Sequence, residues 1–269
     1  MSQTWLITGS SRGLGRALAE AAVAAGHNVV ATARGPVEIE GAFSVPLDVT
    51  DRQQARAAID AAVERFGRLD VVVNNAGYAN VSSIEDFAED DFRAQVETNL
   101  WGVINVTRAA LPVLREQRSG HIIQISSVGG RVTSPGIGPY QTAKWAVEGF
   151  SGVLAKEVAP LGIKVTVIEP GGFRTDWAGS SMTVHGINPA YEPSVGEFMR
   201  YREGAVALGD PAKAAQAILE VAAALEPPLQ LLLGSDAYAI ARATDEARIA
   251  SDEAWKVLTV STDHDLSTV

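Results

Sequence analysis

The sequence contains no cysteine and only four histidines, which excludes several common kinds of site. Without cysteine the chain forms no disulfide, no thiolate nucleophile and no cysteine-ligated zinc site. The histidines lie far apart, without the spacing of metal ligands: His27, His121, His185 and His264. We therefore expect no metal. The absence of cysteine also fits a reducing compartment.

Positive charge is scarce as well, since 22 Lys and Arg residues face 32 Asp and Glu residues, giving a net charge of -10. An acidic chain repels phosphate, which argues against nucleic acid or an anionic membrane as a partner. No apolar run approaches the roughly 18 residues of a membrane span, and no basic segment precedes the first apolar run. The expectation is a cytoplasmic protein with neither nucleic acid nor membrane as a partner.

What the sequence does contain is a regular alternation of short apolar runs with longer, Ala-rich segments of helical periodicity. The predicted strands are Thr4–Thr8, Asn28–Ala33, Phe43–Leu47, Leu69–Asn74, His121–Ser126, Lys164–Ile168 and Leu229–Leu233. The predicted helices are Gly13–Ala25, Asp51–Phe66, Asp90–Glu116, Tyr140–Ala159, Pro211–Leu225 and Asp236–Leu258. This alternation predicts an α/β fold, namely a single-domain, doubly wound Rossmann fold with a seven-stranded parallel sheet flanked by helices. Its ligand crevice is expected at the carboxyl ends of the strands.

The expected organisation is one domain over 1–269, with a cofactor half at about 1–125 and a catalytic and substrate part at about 126–235. Within the second part, 171–209 breaks the alternation and is rich in Gly, Pro, Ser and aromatic residues. A connection of that length is either a lid over the substrate or a disordered segment. The helical extension at 236–269 either covers the active site or contributes to an interface.

A glycine-rich loop follows the first predicted strand and opens the first predicted helix. Glycines in this setting let the backbone approach a pyrophosphate at the positive end of the helix. The alternative is that the glycine-rich loop is an ordinary turn without a ligand. The residues assigned to a dinucleotide here are Gly9, Ser11, Arg12, Gly13, Leu14 and Gly15.

The end of the second strand, Ala31-Thr32-Ala33-Arg34, bears on the choice of dinucleotide. An acidic residue at this point would bond the ribose 2'-hydroxyl of NAD, and none is present. Arg34 and Arg12 can instead bind a 2'-phosphate through charge-assisted hydrogen bonds, unless both are simply solvated surface residues. The sequence therefore favours NADP(H) as the cofactor.

Tyr140 and Lys144 lie four residues apart on a predicted helix, so both side chains lie on one face. A tyrosine has a reference pKa near 10 and exchanges protons at neutral pH only beside a cation, which Lys144 supplies. Ser126 and Ser127 end the fifth strand at the crevice. A hydroxyl there either orients a substrate carbonyl or caps the following turn.

Together these motifs resemble the short-chain dehydrogenase/reductase family, especially its carbonyl reductases and its hydroxysteroid and retinol dehydrogenases. The resemblance covers about Thr4 to Leu233 and includes Thr8–Gly15, Asp48-Val49, Asn74–Gly77, Asn99, Ser127, Tyr140, Lys144 and Pro170-Gly171 through Thr175. It implies a catalytic tetrad of Asn99, Ser127, Tyr140 and Lys144. In this tetrad Tyr140 is the general acid in reduction and the general base in oxidation. The resemblance also implies a homo-oligomer, either a dimer or a tetramer.

The same resemblance implies further roles around the cofactor. Lys144 also holds the nicotinamide ribose, Asp48 meets the adenine amine, and Asn99 anchors a relay water from a locally bent helix. Thr175 contacts the nicotinamide carboxamide, while the Pro170-Gly171 turn gives the ring room. The remaining cofactor contacts implied are Val49, Asn75, Ala76, Gly77, Tyr140 and Phe173.

The predicted substrate walls, 128–139 and 173–201, are mostly apolar and aromatic, which favours an apolar substrate. The candidate contacts are Val128, Gly129, Phe173 and Trp177. The resulting hypothesis is an NADP(H)-dependent oxidoreductase that interconverts a ketone or aldehyde with its alcohol. The alternatives are a 3-oxoacyl thioester reductase, a hydroxysteroid dehydrogenase and a non-catalytic NADP(H)-binding redox sensor. The sensor would predict a broken tetrad.

Overall fold

The computed structural model describes residues 2–175 and 182–264. Seven described strands form one parallel sheet, as predicted, and their order in the sheet is β3-β2-β1-β4-β5-β6-β7. The strands are β1 Thr4–Thr8, β2 Asn28–Ala33, β3 Phe43–Pro46, β4 Val71–Asn74, β5 Gly120–Ile125, β6 Ile163–Pro170 and β7 Gln230–Leu233. The helices are α1 Gly13–Ala24, α2 Arg52–Phe66, α3 Glu89–Val96, α4 Gly102–Gln117, α5 Gly138–Val158, α6 Glu197–Gly204, α7 Pro211–Ala223 and α8 Ser235–Val260. No helix in these ranges is long and apolar enough to cross a membrane.

Both faces of the sheet are buried, which explains why the strands read as continuous apolar runs. On β1, Trp5 and Ile7 belong to the core cluster that includes α1 and α7, whereas Leu6 belongs to the cluster that includes α2, α4 and α5. From β1 the chain adds β2 and β3 toward one edge of the sheet, and it then adds β4 to β7 toward the other edge, so the order of the strands reverses between β1 and β4. The resulting crevice opens at the carboxyl ends of these central strands.

The helix predicted as Asp90–Glu116 is continuous in the structure but contains a wide turn. Residues Glu97–Trp101 form a π-helical turn between α3 and α4. The side chain of Asn99 donates from Nδ2 to the backbone oxygen of Gln95 at 2.8 Å. This bond occupies the carbonyl that an α-helix would pair with the Asn99 amide, and such competition widens a helical turn.

The described part of the segment 171–209 contains α6 and packs onto the body of the protein. Met182, Tyr191 and Phe198 pack against a buried cluster that includes Met199 and Tyr140. The apolar side chains of this segment therefore fix it beside the crevice.

His185 and Tyr201 show two different environments within that segment. The Nε2 atom of His185 lies 3.0 Å from Oδ2 of Asp91 on α3, so this histidine ties the segment to the body. Tyr201 is 71% exposed and borders the crevice instead of packing into the cluster. His185 therefore holds this segment against α3.

The extension after β7 is the long helix α8, which runs two residues beyond the predicted end at Leu258. Only Ala237 and Ala241 of this helix are buried. Its first turns border the crevice through Asp236 and Ile240. The extension therefore forms one wall of the crevice.

Candidate active site

A cleft of about 1900 Å³ opens at the carboxyl ends of the strands and collects most of the predicted site residues. Those that line it are Gly9, Ser11, Arg12, Gly13, Leu14, Arg34, Asp48, Val49, Asn75, Ala76, Gly77, Ser127, Val128, Gly129, Tyr140, Lys144, Pro170, Gly171, Phe173 and Thr175. Gly15 and Asn99 lie behind this lining and contact residues that form it. Trp177 lies outside the described residues.

The glycine loop leaves the start of α1 open toward the cleft. Gly9 and Gly13 adopt positive φ angles of 68° and 59°, which favour glycine. No described side chain caps the amino end of α1. In contrast, Asp51 caps α2 and Asp210 caps α7. The backbone N–H groups at the start of α1 are therefore suited to an external anion.

Asn75, at the end of β4, holds the glycine loop in place. Its Nδ2 donates to the backbone oxygens of Thr8 at 2.9 Å and of Gly9 at 3.2 Å. Its backbone N–H donates to Oγ1 of Thr8 at 2.9 Å. A Cβ atom on Gly15 would collide with the Asn75 carboxamide, so a side chain at Gly15 would displace this anchor.

The end of β2 presents cations to the cleft. Thr32 is fully buried, and its Oγ1 donates to the backbone oxygen of Ile7 at 3.2 Å. Arg34 and Arg12 are exposed and line the cleft. Across from them, Oδ1 of Asp48 accepts hydrogen bonds from the N–H and hydroxyl of Thr50, at 3.0 and 2.8 Å.

Tyr140 lies at the start of α5 with only 5% of its surface exposed. Burial raises the pKa of its phenol to about 12, while a hydrogen bond from Ser127 and the charge of Arg202 oppose that increase. The Oγ atom of Ser127 also accepts from the backbone N–H of Gly129 at 3.0 Å. Ser126 makes no hydrogen bond from its buried Oγ to any described residue. The serine that contacts the phenol is thus Ser127.

Lys144 lies one helical turn after Tyr140 and is 4% exposed. Its Nζ donates to the backbone oxygen of Ile125 at 2.7 Å and lies 5.5 Å from the centroid of the Tyr140 ring. Burial lowers the pKa of the Lys144 ammonium to about 8, and the charge of Glu148 opposes that decrease. At neutral pH a cation therefore stands beside a protonated phenol.

Asn99 supports this site through the backbone. Its Nδ2 donates to the backbone oxygens of Tyr78 and Gln95, both at 2.8 Å. Its Oδ1 accepts from the backbone N–H of Tyr78 at 3.2 Å. Both N–H bonds of the carboxamide are thus used, so this side chain has no donor left for a relay water.

The sequence of this chain is similar to those of known proteins. A family model described as short chain dehydrogenase matches residues 3–184. The chain belongs to this family. The oxidoreductase BOA17 of Botryotinia fuckeliana is 52% identical over 273 residues, covering 97% of this chain and 99% of the relative. A 3-ketodihydrosphingosine reductase of Bacteroides thetaiotaomicron is 36% identical and covers 86% of this chain and 88% of the relative. The protein is accordingly an oxidoreductase.

Solved structures of two dehydrogenases and a reductase share this fold. One from Streptomyces avermitilis has a TM-score of 0.91 at 39% identity, covering 97% of this chain and 98% of that one. A 3-ketoacyl-(acyl-carrier-protein) reductase from Brucella melitensis, complexed with NADH, has a TM-score of 0.72 at 25% identity, covering 86% and 96%. An alcohol dehydrogenase from Thermococcus sibiricus, complexed with 5-hydroxy-NADP, has a TM-score of 0.70 at 26% identity, covering 87% and 96%. Both dinucleotide types thus occur on this fold.

Two cleft residues of this short-chain dehydrogenase were missed in the sequence. Arg202 on α6 lines the cleft, and its guanidinium lies 5.9 Å from the Phe198 ring. Asp236 at the start of α8 accepts a hydrogen bond from the backbone N–H of Gly172 at 2.7 Å. The cations in Arg200-Tyr201-Arg202 were a signal for the first. No local pattern indicated the second.

Proposed function

We propose that this short-chain dehydrogenase is an NADP(H)-dependent enzyme that interconverts a ketone or aldehyde with the corresponding alcohol. The contact between Ser127 and Tyr140, with Lys144 beside the ring, carries the proposal. It brings a phenol, a hydroxyl and a cation together in the cleft. A ketone is also the group named in the 3-ketodihydrosphingosine reductase of Bacteroides thetaiotaomicron.

The dinucleotide fits the residues of the cleft. The open start of α1 suits its pyrophosphate, and the two exposed arginines, Arg12 and Arg34, suit a 2'-phosphate. When bound, the cofactor supplies or accepts the hydride. The cofactor contacts we assign are Gly9, Ser11, Arg12, Gly13, Leu14, Gly15, Arg34, Asp48, Val49, Asn75, Ala76, Gly77, Tyr140, Lys144, Pro170, Gly171, Phe173 and Thr175. We keep the division into a cofactor half at 1–125 and a catalytic part at 126–235.

Tyr140 and Ser127 handle the substrate oxygen. In reduction, the phenol of Tyr140 donates its proton to the carbonyl oxygen as the carbon accepts a hydride. The hydroxyl of Ser127 orients that oxygen and hydrogen-bonds the phenolate that forms. Lys144 stabilises the phenolate by its charge, and Asn99 acts indirectly by holding the loop at Tyr78.

At neutral pH Tyr140 is in the protonated form, which reduction uses. The raised pKa of Tyr140, about 12, keeps the phenol protonated, which is the form that donates. The oxidation of an alcohol would need the phenolate. We therefore expect the rate of alcohol oxidation to rise as the solution becomes more basic.

The substrate is an apolar carbonyl compound. Beside Val128 and Gly129, the cleft is lined by Val132 and Ile137 on one side and by Phe173 on the other. Such walls bind aliphatic or aromatic groups by burying their surface. Arg202 adds one cation near the reacting oxygen.

The first experiment measures the dissociation constants of NADPH and NADH by fluorescence. Wild type is compared with Arg34→Ala and with Arg56→Ala, an exposed arginine on α2 that pairs with Asp60. We expect wild type and Arg56→Ala to bind NADPH at least about tenfold more tightly than NADH, a difference of about 1.4 kcal/mol. Arg34→Ala should lose that margin. Equal or tighter binding of NADH by wild type would make the NADP(H) assignment wrong.

A further inference from the structure

Two acidic side chains that the proposed chemistry does not use meet where α5 packs on β6. Glu169, on β6, is fully buried, and its Oε1 accepts from Nε of Arg131 at 2.6 Å. Glu148, on α5, accepts at Oε2 from Nε2 of Gln230 at 2.9 Å. The two carboxyl groups lie within hydrogen-bonding reach of each other.

Each of these carboxyl groups has one buried oxygen without a donor. Oε2 of Glu169 and Oε1 of Glu148 receive no hydrogen bond from any residue in 2–175 or 182–264. Two ionised carboxylates placed this way would repel each other and leave two buried acceptors unsatisfied, which is costly. A single proton between them satisfies both oxygens, because the protonated carboxyl donates to the ionised one.

The electrostatic environment of Glu169 agrees with this geometry. Burial raises the pKa of Glu169 to about 7, Arg131 opposes the increase, and Glu148 adds to it. The shared proton is thus held in acid and is released from about neutral pH upward. Once it is released, the pair gains a second negative charge.

The pair lies close to the catalytic cleft. Glu148 follows Lys144 by one helical turn, on the same face of α5. A Cβ atom placed on Gly130 would lie 2.9 Å from both Oε1 of Glu148 and Oγ of Ser126, and Ser126 lines the cleft. The negative charge of Glu148 also raises the pKa of Lys144 against the effect of burial.

Charged groups from other elements surround the pair. From α8, Asp245 lies 4.0 Å from Nη1 of Arg131, measured to Oδ2 of the aspartate. Nη1 of Arg248 lies 4.0 Å from Oδ1 of Asp245. Arg131 therefore divides its charge among Glu169, Asp245 and Glu148, and the charge of Glu148 also acts on Lys144.

We propose that Glu148 and Glu169 are positioning residues that share one proton and keep the Lys144 ammonium charged while Tyr140 transfers its proton. As the solution becomes more basic, loss of the shared proton places more negative charge near Lys144 and so sustains its charge. The inference rests on the proposed function, because it takes Lys144 as the partner of Tyr140.

The first test is the pH profile of kcat/KM for NADPH-dependent reduction of an apolar ketone. We compare wild type with Glu148→Gln, Glu169→Gln and Glu157→Gln, the last an exposed glutamate further along α5. Activity is lost in base as Lys144 loses its proton. We expect that loss to begin about 0.5–1 pH unit lower in Glu148→Gln and Glu169→Gln, and to stay in place in Glu157→Gln.

Rescue separates this role from a purely structural one. Glu148→Asp keeps the negative charge, so its basic limb should return toward that of wild type. If both glutamine variants only melt at lower temperature and keep the wild-type profile, the pair is structural and the proposal is wrong.

The second test uses the folded wild type and needs no turnover. Infrared spectroscopy should show a protonated carboxyl C=O band at pH 6 that disappears by pH 9 and is missing in Glu169→Gln. Absence of this band in wild type would overturn the shared proton. If the band is present but no carbonyl compound is reduced with either cofactor, the proposed function fails and the shared proton stands.

Discussion

Asn75 and Thr8, 67 residues apart in the chain, join the end of β4 to the glycine loop: the carboxamide Nδ2 of Asn75 donates to the backbone oxygen of Thr8 at 2.9 Å. The loop at the start of α1 thus takes its shape from a neighbouring strand. A cofactor site whose backbone must approach phosphate closely depends on such an anchor.

We expect Asn75→Ala to weaken NADPH binding about tenfold and to lower the free energy of unfolding by about 1–2 kcal/mol, since two partly buried hydrogen bonds are lost. Fluorescence titration and chemical denaturation measure both. Asn28→Ala is the matched control, because Asn28 makes a long side-chain hydrogen bond, 3.4 Å to Oγ1 of Thr4, at the opposite end of the sheet. Equal NADPH affinity in the two variants would refute the anchoring role.

Tyr140→Phe should lower kcat for carbonyl reduction by about 10²- to 10⁴-fold, because it removes the proton donor. Folding and tight NADPH binding should persist. Tyr201→Phe, which changes an exposed tyrosine on the same cleft, should keep its activity. The kcat of each variant is measured from the decrease in NADPH absorbance. A redox sensor would instead keep its output when Tyr140 is changed.

Asp236 accepts from the backbone N–H of Gly172, so it ties α8 to the turn after β6. We expect Asp236→Ala to raise the KM for NADPH several-fold, because a loss of about 1 kcal/mol corresponds to roughly a fivefold change. Asp236→Asn keeps an acceptor oxygen and should remain closer to wild type. If alanine and asparagine behave alike, the hydrogen bond is not what holds the turn.

His121 predicts a loss of stability in acid. It is buried, its Nε2 lies 2.9 Å from Oγ1 of Thr166, and burial lowers its pKa from 6.5 to about 4. The neutral ring stabilises the fold above pH 6.5, and this contribution is lost as pH falls toward 4, by up to about 3 kcal/mol. Denaturation at pH 7.5 and pH 5 should show a smaller pH effect in His121→Gln than in wild type. His264→Gln, at an exposed position, should follow wild type.

Much of the fold was predictable because both faces of the sheet are buried. Buried parallel strands need apolar residues throughout, so runs such as those of β1 and β5 stand out between helical segments. The cleft location followed from the same alternation. The serine next to the tyrosine was chosen by resemblance, and the structure places Ser127 against Tyr140.

The packing of the segment 171–209 could not be predicted in the same way. Its Met and aromatic residues suit either a substrate wall or a packed loop, and their neighbours come from distant elements. Met182 and Phe198 join a cluster with Val81 and Ile137, whereas Tyr201 faces solvent. The same holds for Asn99, whose side chain also bonds the loop at Tyr78, 21 residues away.

By itself the sequence determined the alternation of strands and helices, and with it the chemistry placed at the strand ends. These properties are local, since they depend on periodicity, on glycine and on the spacing of Tyr140 and Lys144. The tertiary structure alone decided the protonation of Tyr140 and Lys144 and the shape of the loops. Burial and partners far along the chain set both, as Glu148 shows by bonding Gln230, 82 residues away.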